Sequence, residues 1–300
     1  MKAIHRFLIT ALAAGLLTAC SSSAGTLAQA KPPVEPVGEG KVKVTYIANE
    51  GVMIEAGEDK ILIDGLHRKY LDEYAYPPDD LREKIENAEG EFKGIDLVLV
   101  SHVHGDHFHP ESVGRLLMKS GRTTLASSPQ VAQLIKEKFS DYQEVKRNVH
   151  AVDFEFGKEA VISMQPADFV PEREAKAKPG IIVIRFLGLS HGTGRHATIQ
   201  NLGHVIEIGG LKFLHLGDAD MSDENFDIFD LEKAGIDVAF IPYWYLLSER
   251  GRELVDRQFN PKRIIAVHVD VNEADKIKKD LEAADPRVRV FTKILETATF

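Results

Sequence analysis

Cysteine is all but missing from this 300-residue chain: Cys20 is the only one, so no disulfide can form within it. Positive charge is also in deficit, with 37 lysines and arginines against 46 aspartates and glutamates, a balance of −9. That deficit disfavours a nucleic-acid backbone or an anionic membrane surface as a partner and leaves small molecules as the default. The apolar stretch from Phe7 to Leu17 is too short to cross a bilayer as a permanent helix. Glycine and proline are unremarkable at 23 and 13, which excludes collagen-like and low-complexity chains. Internal repeats are lacking as well. What is present is enough apolar residue, 44% of the chain, to bury a large core.

The first residues carry a targeting pattern: Lys2 and Arg6, the apolar stretch, then small residues up to Ala19. This reads as a secretory signal covering residues 1–19. Leu17-Thr18-Ala19-Cys20 resembles the bacterial lipobox, in which the cysteine is lipidated and becomes the first residue of the mature chain. Lipidation also accounts for an orphan thiol in an exported protein. Removing Lys2 and Arg6 with the signal leaves 35 basic residues against 46 acidic ones, a mature balance of −11. Ser21 after the cysteine resembles lipoproteins sent to the outer membrane of Gram-negative bacteria, where the protein would face the periplasm. Residues 20–40, with Pro32, Pro33 and Pro36, read as a flexible tether. Residues 41–300 read as one domain.

Within that domain, short runs rich in valine and isoleucine alternate with helical patterns. Strands are expected at 42–48, 51–56, 60–63, 95–100, 123–126, 160–164, 181–189, 203–208, 211–216, 238–241, 263–267 and 288–291. Helices are expected near 80–89, 110–119, 129–138, 223–234 and 272–283, two of them opening on Pro110 and Pro129 at a first-turn position. The alternation implies an α/β or a layered α+β domain.

Residues 95–110 carry the chemistry. A buried-strand run ends in Ser-His-Val-His-Gly-Asp-His-Phe-His, four histidines and one aspartate within eight residues. Ligand sites of layered folds form at such strand ends. Imidazole and carboxylate suit zinc, iron or manganese. His102 and His104 alternate and can point one way while Asp106 and His107 turn to the other side, so one loop can feed two adjacent metals. Gly105 is expected to permit the turn between them. Each further candidate ligand also follows its own apolar run: His191 after 181–189, Asp218 after 211–216 and His268 after 264–267.

The His-x-His-x-Asp-His segment resembles the signature of the metallo-β-lactamase superfamily. The resemblance continues in Tyr46 to Asp64, in Leu214-His215-Leu216-Gly217-Asp218 and in Arg263 to Val269, all in family order. It implies an α+β, layered αββα sandwich with a metal site at one edge between two sheets. It further implies a first metal on His102, His104 and His191, a second on Asp106, His107 and His268, and a bridge through Asp218. His196, in the same Ser-His-Gly-Thr-Gly-Arg-His segment, is the alternative to His191, or else a group behind the ligands or facing substrate. His191 is preferred because it ends its strand directly. Asp64 is expected to orient a ligand imidazole.

Smaller expectations attach to other residues. His109 reads as a helix-start residue. His67, Tyr70, Tyr74 and Tyr76 either line a pocket or cover the edge of the core, with the core reading preferred for the tyrosines. His150, His204 and His215 read as structural. Tyr243, Trp244 and Tyr245 either wall a pocket or pack in the core.

Two divalent ions, zinc foremost with manganese or iron as alternatives, would lower the pKa of a bound water toward about 7 and polarise the oxygen attacked. Asp106 and Asp218 would manage the proton. This implies hydrolysis of a small-molecule ester, lactone, amide, thioester or phosphodiester. True β-lactamases commonly carry Cys or Ser where this chain has Asp218. The layout looks instead like the branch with ascorbate-6-phosphate lactonase and N-acylphosphatidylethanolamine phospholipase D. The alternatives are a single-iron persulfide dioxygenase-like oxidoreductase and a non-catalytic metal-binding surface lipoprotein.

Overall fold

The central strands bury both faces, and that fact sets the layering. In β4 (Leu97–Val100) the period of two sends Leu97 and Leu99 into one apolar cluster and Val98 and Val100 into another. The same split recurs in β12 (Val238–Pro242), where Val238 and Phe240 face the first of these clusters and Ala239 and Ile241 a third. The computed structural model describes residues 42–165, 168–171 and 182–300. The expected signal segment, Cys20 and the tether lie outside the described residues.

The remaining strands are β1 (Val42–Ala48), β2 (Gly51–Ala56), β3 (Asp59–Ile63), β5 (Thr124–Ser127), β6 (Val149–Ala151), β7 (Glu159–Gln165), β8 (Asp168–Pro171), β9 (Ile182–Ser190), β10 (Gln200–Ile208), β11 (Leu211–His215), β13 (Arg263–Val267), β14 (Val288–Val290) and β15 (Thr297–Thr299). They form a seven-stranded sheet in the order β15-β1-β2-β3-β4-β5-β6 and an eight-stranded sheet in the order β14-β13-β12-β11-β10-β9-β7-β8. Each sheet is parallel over one half, β3 to β6 and β11 to β14, and antiparallel over the other. The core between them holds Val44, Ile54 and Leu99 from the first sheet and Ile206, Phe213 and Ile265 from the second.

Helices cover both outer faces. Helices α1 (Asp79–Glu86), α2 (Pro110–Ser120), α3 (Pro129–Lys138) and α4 (Tyr142–Val145) lie on the first sheet, burying Ile85, Leu116, Leu117 and Ile135. Helices α5 (Tyr243–Leu247), α6 (Glu249–Gln258) and α7 (Ala274–Ala284) lie on the second, burying Leu254, Ile277 and Leu281. The result is the expected αββα sandwich. Pro110 and Pro129 do open α2 and α3, and Ser128 caps α3 by accepting from the Val131 amide at 3.4 Å. Among the described residues no helix is long and apolar enough to cross a membrane.

Three departures from the sequence reading have physical causes. The helix expected at 223–234 is instead two single 3₁₀ turns, Asp223–Asn225 and Leu231–Ala234. The Asn225 side chain is committed elsewhere: it accepts from the Ser190 amide at 2.8 Å and donates to the Ser190 and Asp220 carbonyls. Asp230 sits at φ +50, which no helix permits. Helix α6 escaped notice because its buried face consists of little beyond Gly251, Leu254 and Val255 in a polar sequence. Strands β6 and β15 are three residues each and lack an apolar run.

Candidate metal centre

The candidate ligands follow the carboxyl ends of strands: β4 in the parallel half of the first sheet, β11 and β13 in that of the second, and β9 in the second sheet's antiparallel half. His102 lies just past β4, His191 past β9, and His268 past β13; Asp218 follows β11 after Leu216 and Gly217. His102 and His107 are fully buried, Asp106 and His268 nearly so.

Two groups of donor atoms result. His104 Nδ1 lies 3.0 Å from His102 Nε2 and 3.1 Å from His191 Nε2. Asp218 Oδ2 completes this group, 3.6 Å from His191 Nε2 and 3.9 Å from His102 Nε2. In the second group Asp106 Oδ2 is 3.1 Å from His268 Nε2 and 3.5 Å from His107 Nε2. Asp218 turns its other oxygen, Oδ1, to this group, 3.4 Å from His107 Nε2 and 3.6 Å from His268 Nε2.

The donor chemistry fits cations. Ligands about 2.0–2.1 Å from a tetrahedral zinc stand roughly 3.3 Å apart, the scale of these separations. Three imidazole nitrogens converging at 3.0–3.1 Å cannot all be satisfied by one another's protons. His107 Nε2 and Asp218 Oδ1 are buried with no hydrogen-bond partner among the described residues. Such atoms are costly unless something accepts their lone pairs.

The electrostatics agree. Burial alone would raise Asp218, but the His268 and His107 imidazoles hold it well below the usual carboxylate range. Asp106 is likewise held low against burial, by the neighbouring His107 and His268 imidazoles. Burial, with the charge of His191, pushes His104 down to about 4, and burial lowers His102 and His191. At neutral pH those three imidazoles are therefore unprotonated ligand forms. His107 behaves oppositely: burial would lower it, but the carboxylates of Asp218, Asp106 and Asp64 raise it well above its ordinary value. Asp64 and Asp106 add further negative charge beside it, so the second group draws positive charge to itself.

A layer of hydrogen bonds orients these rings. Asp64, at φ +44 after β3, accepts from the Ser101 amide at 2.8 Å through Oδ1. Its Oδ2 accepts from Ser101 Oγ at 2.5 Å and from His107 Nδ1 at 2.9 Å. Ser101 Oγ in turn accepts from His102 Nδ1 at 3.0 Å. Both rings thus carry their proton on Nδ1 and turn Nε2 to the centre. Asn49 donates to Asp106 Oδ2 at 3.2 Å, and its carbonyl accepts from the His268 amide, holding His268 at φ +57. Behind them the Glu50 carboxylate is buried without a hydrogen-bond partner among the described residues, 3.9 Å from His107 Nδ1 and 3.5 Å from His215 Nε2. Burial, then the charge of Asp218, pushes its carboxyl far up.

His191 is thus among the donors, whereas His196 is not. The His196 ring lies 4.6 Å from the His191 ring, and its Nε2 accepts from Arg195 Nε at 2.9 Å. His109 caps α2 through Nδ1. His67 is buried and pins its loop through the Asp64 and Ala75 carbonyls. His204 and His215 are buried in the second sheet, and Tyr245 is core, donating to the Ala219 carbonyl at 2.7 Å. The core reading fails for Tyr70 and Tyr76, which are exposed, and for Tyr74, whose ring meets His268 at 4.6 Å. Gly105 is not at positive φ; a Cβ there would stand 2.8 Å from the exposed Tyr70 ring, which would have to move aside. Ser101, Asn49 and Glu50 were missed by sequence reasoning, since nothing local marks a serine or an Asn-Glu turn as part of the centre.

Comparisons with known proteins agree with this geometry. The family model described as beta-lactamase superfamily domain matches residues 60–289. A metal-dependent hydrolase of Pyrococcus furiosus is 24% identical over 229 residues, 76% of this chain and 84% of that protein. One from Pyrococcus abyssi is 26% identical over 230 residues, with the same coverage of each. A solved structure described as a possible metal-dependent hydrolase of Veillonella parvula superposes with a TM-score of 0.57 at 17% identity, covering 87% of this chain and all of the other.

Proposed function

The chain belongs to the metallo-β-lactamase superfamily, and from that premise we propose that it is a metal-dependent hydrolase with a dinuclear centre. His102, His104 and His191 would hold one divalent ion, Asp106, His107 and His268 the other, with Asp218 between them. The carrying observation is that Asp218 turns Oδ2 to one donor group and Oδ1 to the other. Zinc is the preferred ion, with manganese and iron as alternatives on the same donors. The pair supplies acidified water at neutral pH and Lewis-acid polarisation of the oxygen under attack.

The rest is the work of the protein's own side chains. Asp64 and Ser101 hold the His107 and His102 rings in one tautomer. Asn49 fixes the Asp106 carboxylate, and the Asn49 carbonyl fixes the His268 backbone. Asp106 and Asp218, both ionised at neutral pH, are the acceptors at which the nucleophile's proton would be held. The substrate is a small molecule with an ester, lactone, amide or phosphodiester bond. Asp218 in place of Cys or Ser favours the lactonase and phosphodiesterase branch over the true β-lactamases.

The test is metal per chain by elemental analysis, with hydrolysis of a phosphodiester and a lactone, for wild type and Asp218→Ala. About two zinc or manganese ions in wild type, with occupancy and turnover lost in the variant, are expected. One iron per chain would replace the hydrolase with an oxygenase. Full retention of metal and turnover by the variant would remove the bridge. The chain is also proposed to be exported and anchored to the bacterial envelope through lipidated Cys20. Cys20→Ser should then leave the membrane fraction, and unchanged detergent partitioning would refute the anchor.

A further inference from the structure

The two sides of the centre differ in chemistry. Beside the first donor group stand polar residues, His196 and its partner Arg195. Beside the second stands a run of aromatic rings. The His268 ring is met edge-on by Tyr74, centroids 4.6 Å apart at 83°, and by Trp244 at 5.1 Å and 71°. Tyr70 stacks on Tyr74 at 6.5 Å and lies against Gly105 in the ligand loop. Tyr74 and Trp244 are only partly buried, and Tyr70 is 54% exposed.

Holding His268 in place explains two of these rings but not the third, and not their exposure. Exposed large apolar side chains also gather here. Of the nine among the described residues, Tyr70, Leu71, Tyr76, Leu247 and Val271 lie on the segments that carry these rings or follow His268. The Val271 amide, donating to the Glu73 carbonyl at 3.0 Å, ties two of those segments together. A surface that concentrates apolar groups at the rim of a polar centre marks a binding face.

We propose that Tyr70, Tyr74 and Trp244 form a substrate-binding wall, and that the substrates are anions carrying an aryl or bulky alkyl group beside the bond that is cut. This rests on the dinuclear reading, since two divalent ions set against Asp106 and Asp218 leave a cationic floor for the anionic part. The wall takes the apolar part, rings being able to stack or meet edge-on with it.

Trp244 is the only tryptophan in the chain, so its emission reports binding at this wall. The metal-loaded full chain is titrated with phenylphosphonate and with methylphosphonate, followed by Trp244 fluorescence and by calorimetry. Phenylphosphonate is expected to bind about tenfold tighter and to alter the emission. In Tyr74→Leu and Trp244→Ala, the latter followed by calorimetry alone, that ratio is expected to fall toward one with wild-type metal content. Tyr70→Ala has no ring contact with a ligand histidine and should lower the ratio for reasons independent of His268. Equal affinities in a wild-type chain holding two metals overturn the wall alone. So does a ratio that survives all three variants, or one unmoved in Tyr70→Ala while the other two lose metal. A wild-type chain that takes up no metal and binds neither phosphonate overturns the hydrolase reading and the wall together.

Discussion

The centre depends on which nitrogen of each imidazole carries the proton. His107 and His102 both spend Nδ1 on the Asp64–Ser101 pair, so Nε2 is left facing the proposed metals. Asp64→Asn removes the charge that holds His107 and substitutes an amide that donates as well as accepts. Metal affinity is expected to fall by about 10- to 100-fold, read by competition with a chelator; affinity equal to wild type would leave Asp64 without an orienting role. The two neighbouring histidines offer a sharper contrast. His191→Ala removes a donor 3.1 Å from His104 Nδ1 and should cost one ion per chain, whereas His196→Ala should retain both. Equal losses in the two variants would contradict this division of roles. His191 and His196 are five residues apart, and the one sequence signal that separates them, the apolar run ending just before His191, is the run that becomes β9.

At the scale of elements, the donors are delivered by strand ends, and one turn shows how narrow the tolerance is. Gly217 joins β11 to Asp218 at φ +55, and a Cβ there would come 2.4 Å from Asn201 Oδ1 and 2.7 Å from Ser101 Cβ. Asn201 itself donates to the Leu216 carbonyl at 3.0 Å, so it cannot withdraw freely. Gly217→Ala is expected to cost about 2 kcal/mol or more and to displace Asp218. Thermal unfolding and metal content should fall together; a variant with wild-type values of both would show that the turn has slack. The strand runs were legible because their faces are apolar on both sides, as in Leu97 to Val100. Helix α6 and strands β6 and β15 were not, because their burial comes from neighbours and not from a pattern of their own.

Across the whole molecule the donors divide between the sheets: His102, His104, Asp106 and His107 follow a strand of the first, His191, Asp218 and His268 strands of the second. The sandwich core between them carries its own titratable group. His204 is fully buried, both ring nitrogens lack hydrogen-bond partners among the described residues, and burial, with the charge of His215, pushes its pKa down to about 3. An unfolded histidine takes up its proton near pH 6.5. Between those two values the unfolded chain binds one more proton at this site than the folded chain, so stability falls as pH drops from 6.5 toward 3. The slope approaches about 1.4 kcal/mol per pH unit. In denaturant unfolding with chelator present, His204→Leu should show a shallower loss between pH 6 and pH 4. Parallel curves for the two proteins would remove His204 from the acid sensitivity.

What this chain determines by itself is local and periodic. The alternation of Val98 with Leu99, the prolines opening α2 and α3, and the crowding of His102, His104, Asp106 and His107 into one loop all lie within a few residues. They are enough to specify a layered fold with a metal-type site at a strand end. The tertiary structure decides what meets across the chain. Asp64 reaches Ser101 over 37 residues, Asp106 reaches His268 over 162, and His215 reaches Glu50 over 165. The role of Ser101 and the rings around His268 depend on which strands become neighbours. That is set by the summed burial of two sheets against each other, and no single segment encodes it.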